Sequence, residues 1–117
     1  MKVLLFTREY PPYVYGGAGV HVEYLSGELA KLMDVEVRCF GNQDTTNDGV
    51  RVKGYPFGKG SFAQVDAKLS GALDTFEANL ATLGARVDAD LVHVHTWYAH
   101  LGGILAKLLY GVPLVHT

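Results

Sequence analysis

Cysteine is almost missing from this sequence, neither sign of charge predominates, and no apolar run is long. Each shortage closes off a class of protein. A single cysteine, Cys39, excludes an intramolecular disulfide framework. Ten Lys and Arg against twelve Asp and Glu leave a formal net charge of -2. That balance supplies no basic stripe for a phosphate backbone, so nucleic acid is not an expected partner. The longest apolar stretches, such as Val3 to Phe6, fall far short of the roughly 20 residues that cross a bilayer. No cationic segment precedes a long apolar run, as a signal peptide requires. The expectation is a cytoplasmic chain with no membrane partner.

What is present is core material: 49% of the residues are hydrophobic and 11% aromatic, enough for one folded domain. Lys2 to Thr7 reads as a buried strand, stopped by Pro11 and Pro12. Arg8 to Gly19 (REYPPYVYGGAG) has the composition of a turn-rich loop. Val20 to Met33 carries Val22, Leu25, Leu29, Leu32 and Met33 at helical spacing. Val35, Val37 and Cys39 then alternate with Glu36 and Arg38, giving a second strand that ends at Phe40 and runs into a loop, GNQDTTNDG. Val50 to Tyr55 reads as a third strand.

Gly58 to Ser61 reads as a loop feeding a helix cap, and Ala63 to Gly84 as the helix. Its stripe of Phe62, Val65, Leu69, Leu73, Phe76, Leu80, Leu83 and Val87 is expected to face a partner surface. A strand at Leu91 to Val94, a loop through His95 to Tyr98, and a helix carrying Leu101, Ile104, Leu105, Leu108 and Leu109 follow. Gly111 closes that helix, and Pro113 to Thr117 begins a fifth strand. Strands alternating with helices predict an α/β fold: a Rossmann-like parallel sheet with helices on both faces. In such sheets ligands lie beyond the carboxyl ends of the strands, where strand order reverses. The two unusual loops, Arg8 to Gly19 and His95 to Tyr98, are expected there.

Gly16, Gly17 and Gly19 precede a helix N-terminus, whose unpaired N–H groups suit a phosphate. A tight turn that binds nothing accounts for the same glycines. A dinucleotide fingerprint fails because Val22 stands where the third glycine belongs, and a Walker A loop fails because no Gly-Lys-Ser/Thr follows. In LVHVHTWYAH the period of a strand puts His93 and His95 on one face, with His95 nearer the ligand end. An imidazole there can donate to a sugar hydroxyl, and His95 is the preferred catalytic candidate; His93 reads as a half-buried strand histidine. Trp97 and Tyr98 suit either a stacked sugar ring or the core. Glu9 is a candidate to hydrogen-bond an acceptor hydroxyl, although a solvated loop carboxylate is the commoner outcome at such a place. His93, His95 and His100 lack the fuller ligand set of a zinc site, so neither a metal nor a cofactor is expected. Cys39 reads as a small buried hydrophobe. Tyr10, Tyr13 and Tyr15 fit a carbohydrate surface or a loop packed on itself equally well.

The segments REYPPYVYGGAGVHVEYLSGELAKL and DLVHVHTWYAHLGGILAKLLYGVP together resemble retaining glycosyltransferases of the glycogen synthase and maltose-1-phosphate synthase type, in the family-4 branch. Classical starch and glycogen synthases carry lysine two residues before the paired glycines and aspartate after the histidine. This chain has Val14 and Thr96 there, which brings it nearer the family-4 branch.

The resemblance implies a GT-B architecture of two facing Rossmann-like domains, of which residues 1–117 form the incomplete N-terminal, acceptor-side half, truncated in or after its fifth strand. It implies a nucleotide-diphosphate glucose donor, with ADP-glucose expected, and a glucan or sugar-phosphate acceptor. By the same resemblance Gly16 and Gly17 approach the donor diphosphate and His95 hydrogen-bonds the transferred glucose. The basic pair and Glu-x-Glu type motif of the family's second domain have no counterpart in residues 1–117, so the chain alone is expected to be inactive and to self-associate through its exposed sheet edge. The alternative is a stand-alone α/β binding or assembly module without catalysis.

Overall fold

A computed structural model describes all residues 1–117. Six strands form one sheet in the order β3-β4-β2-β1-β5-β6. In chain order these are β1 (Lys2–Phe6), β2 (Asp34–Phe40), β3 (Asp44–Asn47), β4 (Val50–Tyr55), β5 (Leu91–Val94) and β6 (Leu114–His116). Three helices join them: α1 (Gly17–Leu29), α2 (Ala67–Thr82) and α3 (Trp97–Tyr110). All strand pairs are parallel except β3 with β4. The expected α/β architecture is therefore the one observed.

The alternation of β1 divides the core in two. Val3 and Leu5 point to one face, where Val22 of α1 packs with Val35, Val37, Cys39, Val50 and Val52. Leu4 and Phe6 point to the other, where they meet Val92 and Val94 of β5 and Ala99 and Ala106 of α3. Both faces of a central parallel strand are thus dry, which is why KVLLF reads as a continuous apolar run. Burial pushes the Cys39 thiol up to about 12, so it behaves as a small hydrophobe.

The structure corrects four local expectations. The loop expected at GNQDTTNDG contains β3, which pairs with β4 from Asp44 opposite Lys53 to Asn47 opposite Val50. All four β3 side chains are exposed, so no apolar alternation betrays the strand. Its turn does: Asp48 and Gly49 both have positive φ, the requirement of a type I′ hairpin. Helix α1 starts at Gly17, three residues before the expected Val20, and gives way to tight turns after Leu29. Helix α2 starts at Ala67 rather than Ala63, because the Asp66 carboxylate caps it by accepting from the Lys68 N–H.

The fourth correction concerns which helix faces are buried. Leu69, Phe76 and Leu80 of the expected stripe on α2 are 57%, 39% and 57% exposed. The inward face consists of Thr75, Ala78, Asn79 and Thr82. Helix α3 behaves alike, burying Ala99, Gly102, Gly103 and Ala106 while Leu108 and Leu109 face outward. Periodicity finds a stripe, but close helix approach selects the small residues beside it.

Two buried polar side chains fix these helices. The Asn79 amide donates to the Thr75 and Tyr98 carbonyls at 2.7 and 2.6 Å and accepts from the Gly102 N–H at 2.7 Å. Tyr98 and Gly102 are four apart, so the amide joins the two groups that bond each other in an uninterrupted helix. Gly102 is required by closeness, since a Cβ there would lie 2.9 Å from Asn79 Oδ1 and 3.2 Å from the Phe6 ring. Arg38, pointing from β2 to the same side, is 2% exposed. Its guanidinium donates to the carbonyls of Thr82, Ala85 and Arg86 and to Glu36, and so satisfies the last carbonyl of α2 and two in the segment that follows it.

Replacing Arg38 with Ala strands those carbonyls, and is expected to lower unfolding stability by about 3 kcal/mol in urea titrations. Lys at this position rescues only part of the loss, because an ammonium lacks the planar fork. Asn79→Leu removes both donors from carbonyls in a dry interface, and should cost about 2 kcal/mol. Amide exchange at Gly102 should accelerate in that variant.

Candidate functional site

The chain builds its sheet outward from β1 to β2 and β4, then returns to place β5 on the other side of β1. The β1/β5 boundary is therefore the point where strand order reverses, and both unusual loops leave from it. The first runs from Thr7 to Gly16, the second is only His95 and Thr96. Trp97 and Tyr98, expected in the loop, lie in the first turn of α3.

The first loop is pinned from three sides. The buried Gln43 side chain donates to the Tyr10 carbonyl at 3.0 Å and to that of Pro11 at 3.4 Å. The Tyr10 hydroxyl bonds Ser26 of α1 at 2.6 Å, and the Tyr13 hydroxyl donates to Asn42 at 2.7 Å. The Pro11-Pro12 peptide is cis. Glu9 accepts from the Tyr15 N–H, which turns the chain toward α1. Of the three tyrosines, Tyr10 is thereby structural, while Tyr15 is 80% exposed.

The glycines divide by what surrounds them. Gly19 packs so tightly that a Cβ would lie 2.9 Å from side-chain atoms of both Glu9 and Val14. At Gly16 and Gly17 a Cβ would meet nothing within 4 Å. Gly16 caps α1 in an extended conformation with no side chain bonding the first-turn amides. These N–H groups, at the positive end of the helix, are free to meet an anion.

His93 and His95 lie on the α1 side of β5, their ring centroids 4.1 Å apart. His21 of α1 brings a third ring within 5.6 Å of His95. His95 is 2% exposed and its Nε2 is buried without a hydrogen-bond partner. Burial, with the neighbouring His93 and His21 adding to it, lowers the His95 pKa to about 4. Burial likewise lowers that of His93, whose Nε2 lies 2.7 Å from the Thr117 hydroxyl. His95 is accordingly a neutral imidazole at physiological pH, available as a hydrogen-bonding group and not as a charge.

Thr96 adopts φ 66° and ψ 165°, a region that non-glycine residues avoid at a cost of about 1–3 kcal/mol. It is held there by the His95 N–H bonding Phe6, the Thr96 N–H bonding Thr117 and the Ala99 N–H bonding Thr96. The turn places His95 at the strand end while starting α3 two residues later, at Trp97. His100, on that helix, meets His116 edge-on at 4.7 Å. No group of three or more His, Cys, Asp or Glu side chains is arranged to hold a metal.

Two residues join the loops without having stood out in the sequence. Arg8 holds its guanidinium 4.3 Å from the centre of the Tyr98 ring and 5.8 Å from that of Phe57. His21 closes the other side. Arg8, Glu9, Tyr13, Tyr15, Phe40, Gly41 and Phe57 line a cavity of about 280 Å³ beside this junction. Position alone could have found Arg8, which follows directly on β1 and Thr7 at the carboxyl edge of the sheet. Trp97 is 49% exposed and packs on Tyr98 with ring centroids 4.3 Å apart.

Comparison with known proteins bears on this geometry. α-Maltose-1-phosphate synthase of Mycolicibacterium smegmatis is 47% identical over 120 residues, covering all of this chain and 28% of that protein. Glycogen synthase of Mycobacterium tuberculosis is 33% identical over 137 residues, again covering the whole chain and 33% of the relative. The chain thus spans about a third or less of the length of these relatives. Sucrose-phosphate synthase from Thermosynechococcus elongatus superposes with a TM-score of 0.64 over 98% of this chain and 32% of its own, at 14% identity, and so shares the fold. No helix here is long and apolar enough to cross a membrane. The model of glycosyltransferase family 4 matches residues 15–117, from the glycine loop through α3 and β6, and the chain belongs to that family.

Proposed function

We propose that residues 1–117 are the acceptor-side, N-terminal part of a retaining glucosyltransferase of GT-B architecture, working in the cytoplasm and inactive without a second domain. The donor is a nucleotide-diphosphate glucose, ADP-glucose in this reading, and the acceptor an α-glucan or a glucose phosphate. The observation that carries the proposal is the meeting of two incomplete features at one switch point. The α1 N-terminus is open at Gly16 and Gly17, and His95 holds a buried, unpartnered Nε2 across from α1. The names of the relatives, α-maltose-1-phosphate synthase and glycogen synthase, support a disaccharide phosphate or a polymer as product.

Each group has a distinct part in this reading. The free amides after Gly16 bind a phosphate oxygen of the donor, and the missing Cβ atoms let it approach the backbone. His95 hydrogen-bonds a hydroxyl of the transferred glucose, which satisfies its orphaned ring nitrogen. A neutral imidazole suits that task, since it offers one donor and one acceptor. Trp97 and Tyr98 wall the sugar site, and Glu9 holds the glycine loop in place through Tyr15 while its remaining lone pairs face the cavity. Breakage of the donor bond needs charge stabilisation on the diphosphate from further groups, which is why the chain alone is assigned no activity.

The test is transfer of labelled glucose from ADP-glucose, measured with the longer protein that carries this chain and with the chain alone. Product is expected only from the former, and activity in the isolated chain would overturn the division of labour. His95→Ala should reduce kcat by roughly 10²- to 10³-fold, with His95→Asn recovering part of it. Unchanged kcat in the alanine variant would remove His95 from the site.

The lowered pKa of His95 also has a stability signature. Above pH 6.5 the imidazole is neutral in both folded and unfolded chains; as pH falls from about 6.5 to about 4, the unfolded chain takes up a proton that the native one refuses. Stability is therefore lost across that window on acidification. Urea midpoints measured from pH 7 to pH 4 should fall less steeply for His95→Asn than for the parent sequence.

A further inference from the structure

The turn between β5 and α3 is held from outside itself. Thr96 keeps its φ of 66° and ψ of 165° although its own side chain bonds none of the α3 amides. A strained conformation of this kind persists only where the surroundings over-determine it. The Thr96 N–H donates to the Thr117 carbonyl at 2.8 Å, and the Thr117 N–H donates to the Val94 carbonyl at 2.9 Å. By itself Thr117 is a weak anchor. It is exposed and lies just past β6, a three-residue strand at the border of the sheet, and such ends open readily. A single side chain bonds it: His93 brings Nε2 to 2.7 Å from the Thr117 hydroxyl. His93 is itself fixed within β5, in register with Leu5 of β1 and Val115 of β6.

We propose that His93 is a positioning residue for His95, acting through Thr117. His93 ties down the Thr117 hydroxyl, the Thr117 carbonyl then holds the Thr96 N–H, and the Thr96 turn sets where β5 ends and His95 begins. What His95 does in transfer rests on the glucosyltransferase reading above, whereas the place it occupies does not. Placement matters because a group that meets the reacting sugar loses rate on small displacements. A rival route from His93 to His95 is direct packing of the two rings, whose centroids are 4.1 Å apart. The routes have different requirements. Packing needs a ring at His93 and is indifferent to the Thr117 hydroxyl, while the latch needs both ends of one hydrogen bond.

Three substitutions separate them. His93→Phe keeps a ring against His95 and loses the bond; Thr117→Val keeps the shape and the main-chain carbonyl and loses the hydroxyl; Thr117→Ser keeps the hydroxyl. In the chain itself, amide exchange at Thr96 is followed by NMR, with the buried Leu5 amide as the reference for an intact fold. Exchange at Thr96 should accelerate roughly 3- to 10-fold in His93→Phe and in Thr117→Val, with Leu5 unchanged and Thr117→Ser close to the parent sequence. In the longer protein that carries this chain, both disruptive variants should lower kcat roughly 10-fold and leave KM within about twofold. The double variant should be no worse than either single one, since both remove the same bond.

Parent-like exchange and kcat in Thr117→Val overturn the proposal, whatever His93→Phe does, because that pattern leaves only ring packing. Losses that add in the double variant overturn it as well. Should His93→Phe fail to fold, the exposed Thr117→Val and Thr117→Ser pair still decides the matter. The fate of the transferase reading is separate. A longer protein that transfers no glucose, or keeps its kcat in His95→Ala, rejects that reading, while faster Thr96 exchange in Thr117→Val keeps the latch.

Discussion

A single amide, that of Asn79, ties together the two helices on one face of the sheet. It stands between the Tyr98 carbonyl and the Gly102 N–H, so α2 grips the first turns of α3 through backbone groups instead of side-chain bulk. That contact requires glycine at Gly102 and small residues around it, and it draws α3 down onto Phe6 and Val94. The first turn of α3 carries Trp97 and Tyr98, and Tyr98 is the ring on which Arg8 rests. An interaction buried between two helices thus governs the geometry of groups at the cleft.

The cleft itself follows from the order of strands. Because β5 returns to the free side of β1, the chain leaving β1 and the chain leaving β5 diverge from neighbouring points. The first is long and pinned by Gln43, Tyr10 and Glu9; the second is two residues with a backbone conformation that glycine would accept more readily. Rigidity on one side and compression on the other bring three imidazoles together beside α1 and set the Arg8 guanidinium over the Tyr98 ring. Burial keeps His95 neutral, so that imidazole adds no charge to the one on Arg8.

Strand positions were legible because burial on both faces writes continuous apolar runs, as in KVLLF and LVHV. The pairing of His93 with His95 on one face followed from the two-residue period, whereas nothing in the sequence separates Gly16 and Gly17, in open surroundings, from the tightly packed Gly19. Helix faces were not legible. Large apolar residues dominate a periodicity, whereas α2 and α3 pack through Ala, Gly, Thr and Asn, so Leu69, Leu80 and Leu108 marked the wrong side. Arg38 and Asn79 were invisible for a related reason: apart from Glu36 beside Arg38, their partners are main-chain carbonyls and amides, which leave no complementary residue in the sequence. Strand β3 escaped because an edge strand with both faces in solvent has no apolar face to display.

The same hairpin makes the sheet directional. Strand β3 runs against its neighbour, carries only Asp, Thr and Asn side chains, and is tied to β4 partly through Arg51 and Asp44. A polar, antiparallel border of this kind discourages a further strand from pairing. At the opposite border β6 is short and parallel, with Val115 exposed. The two margins of the sheet are therefore unlike: one is a polar, antiparallel hem, and the other a short parallel border with an apolar side chain in the open.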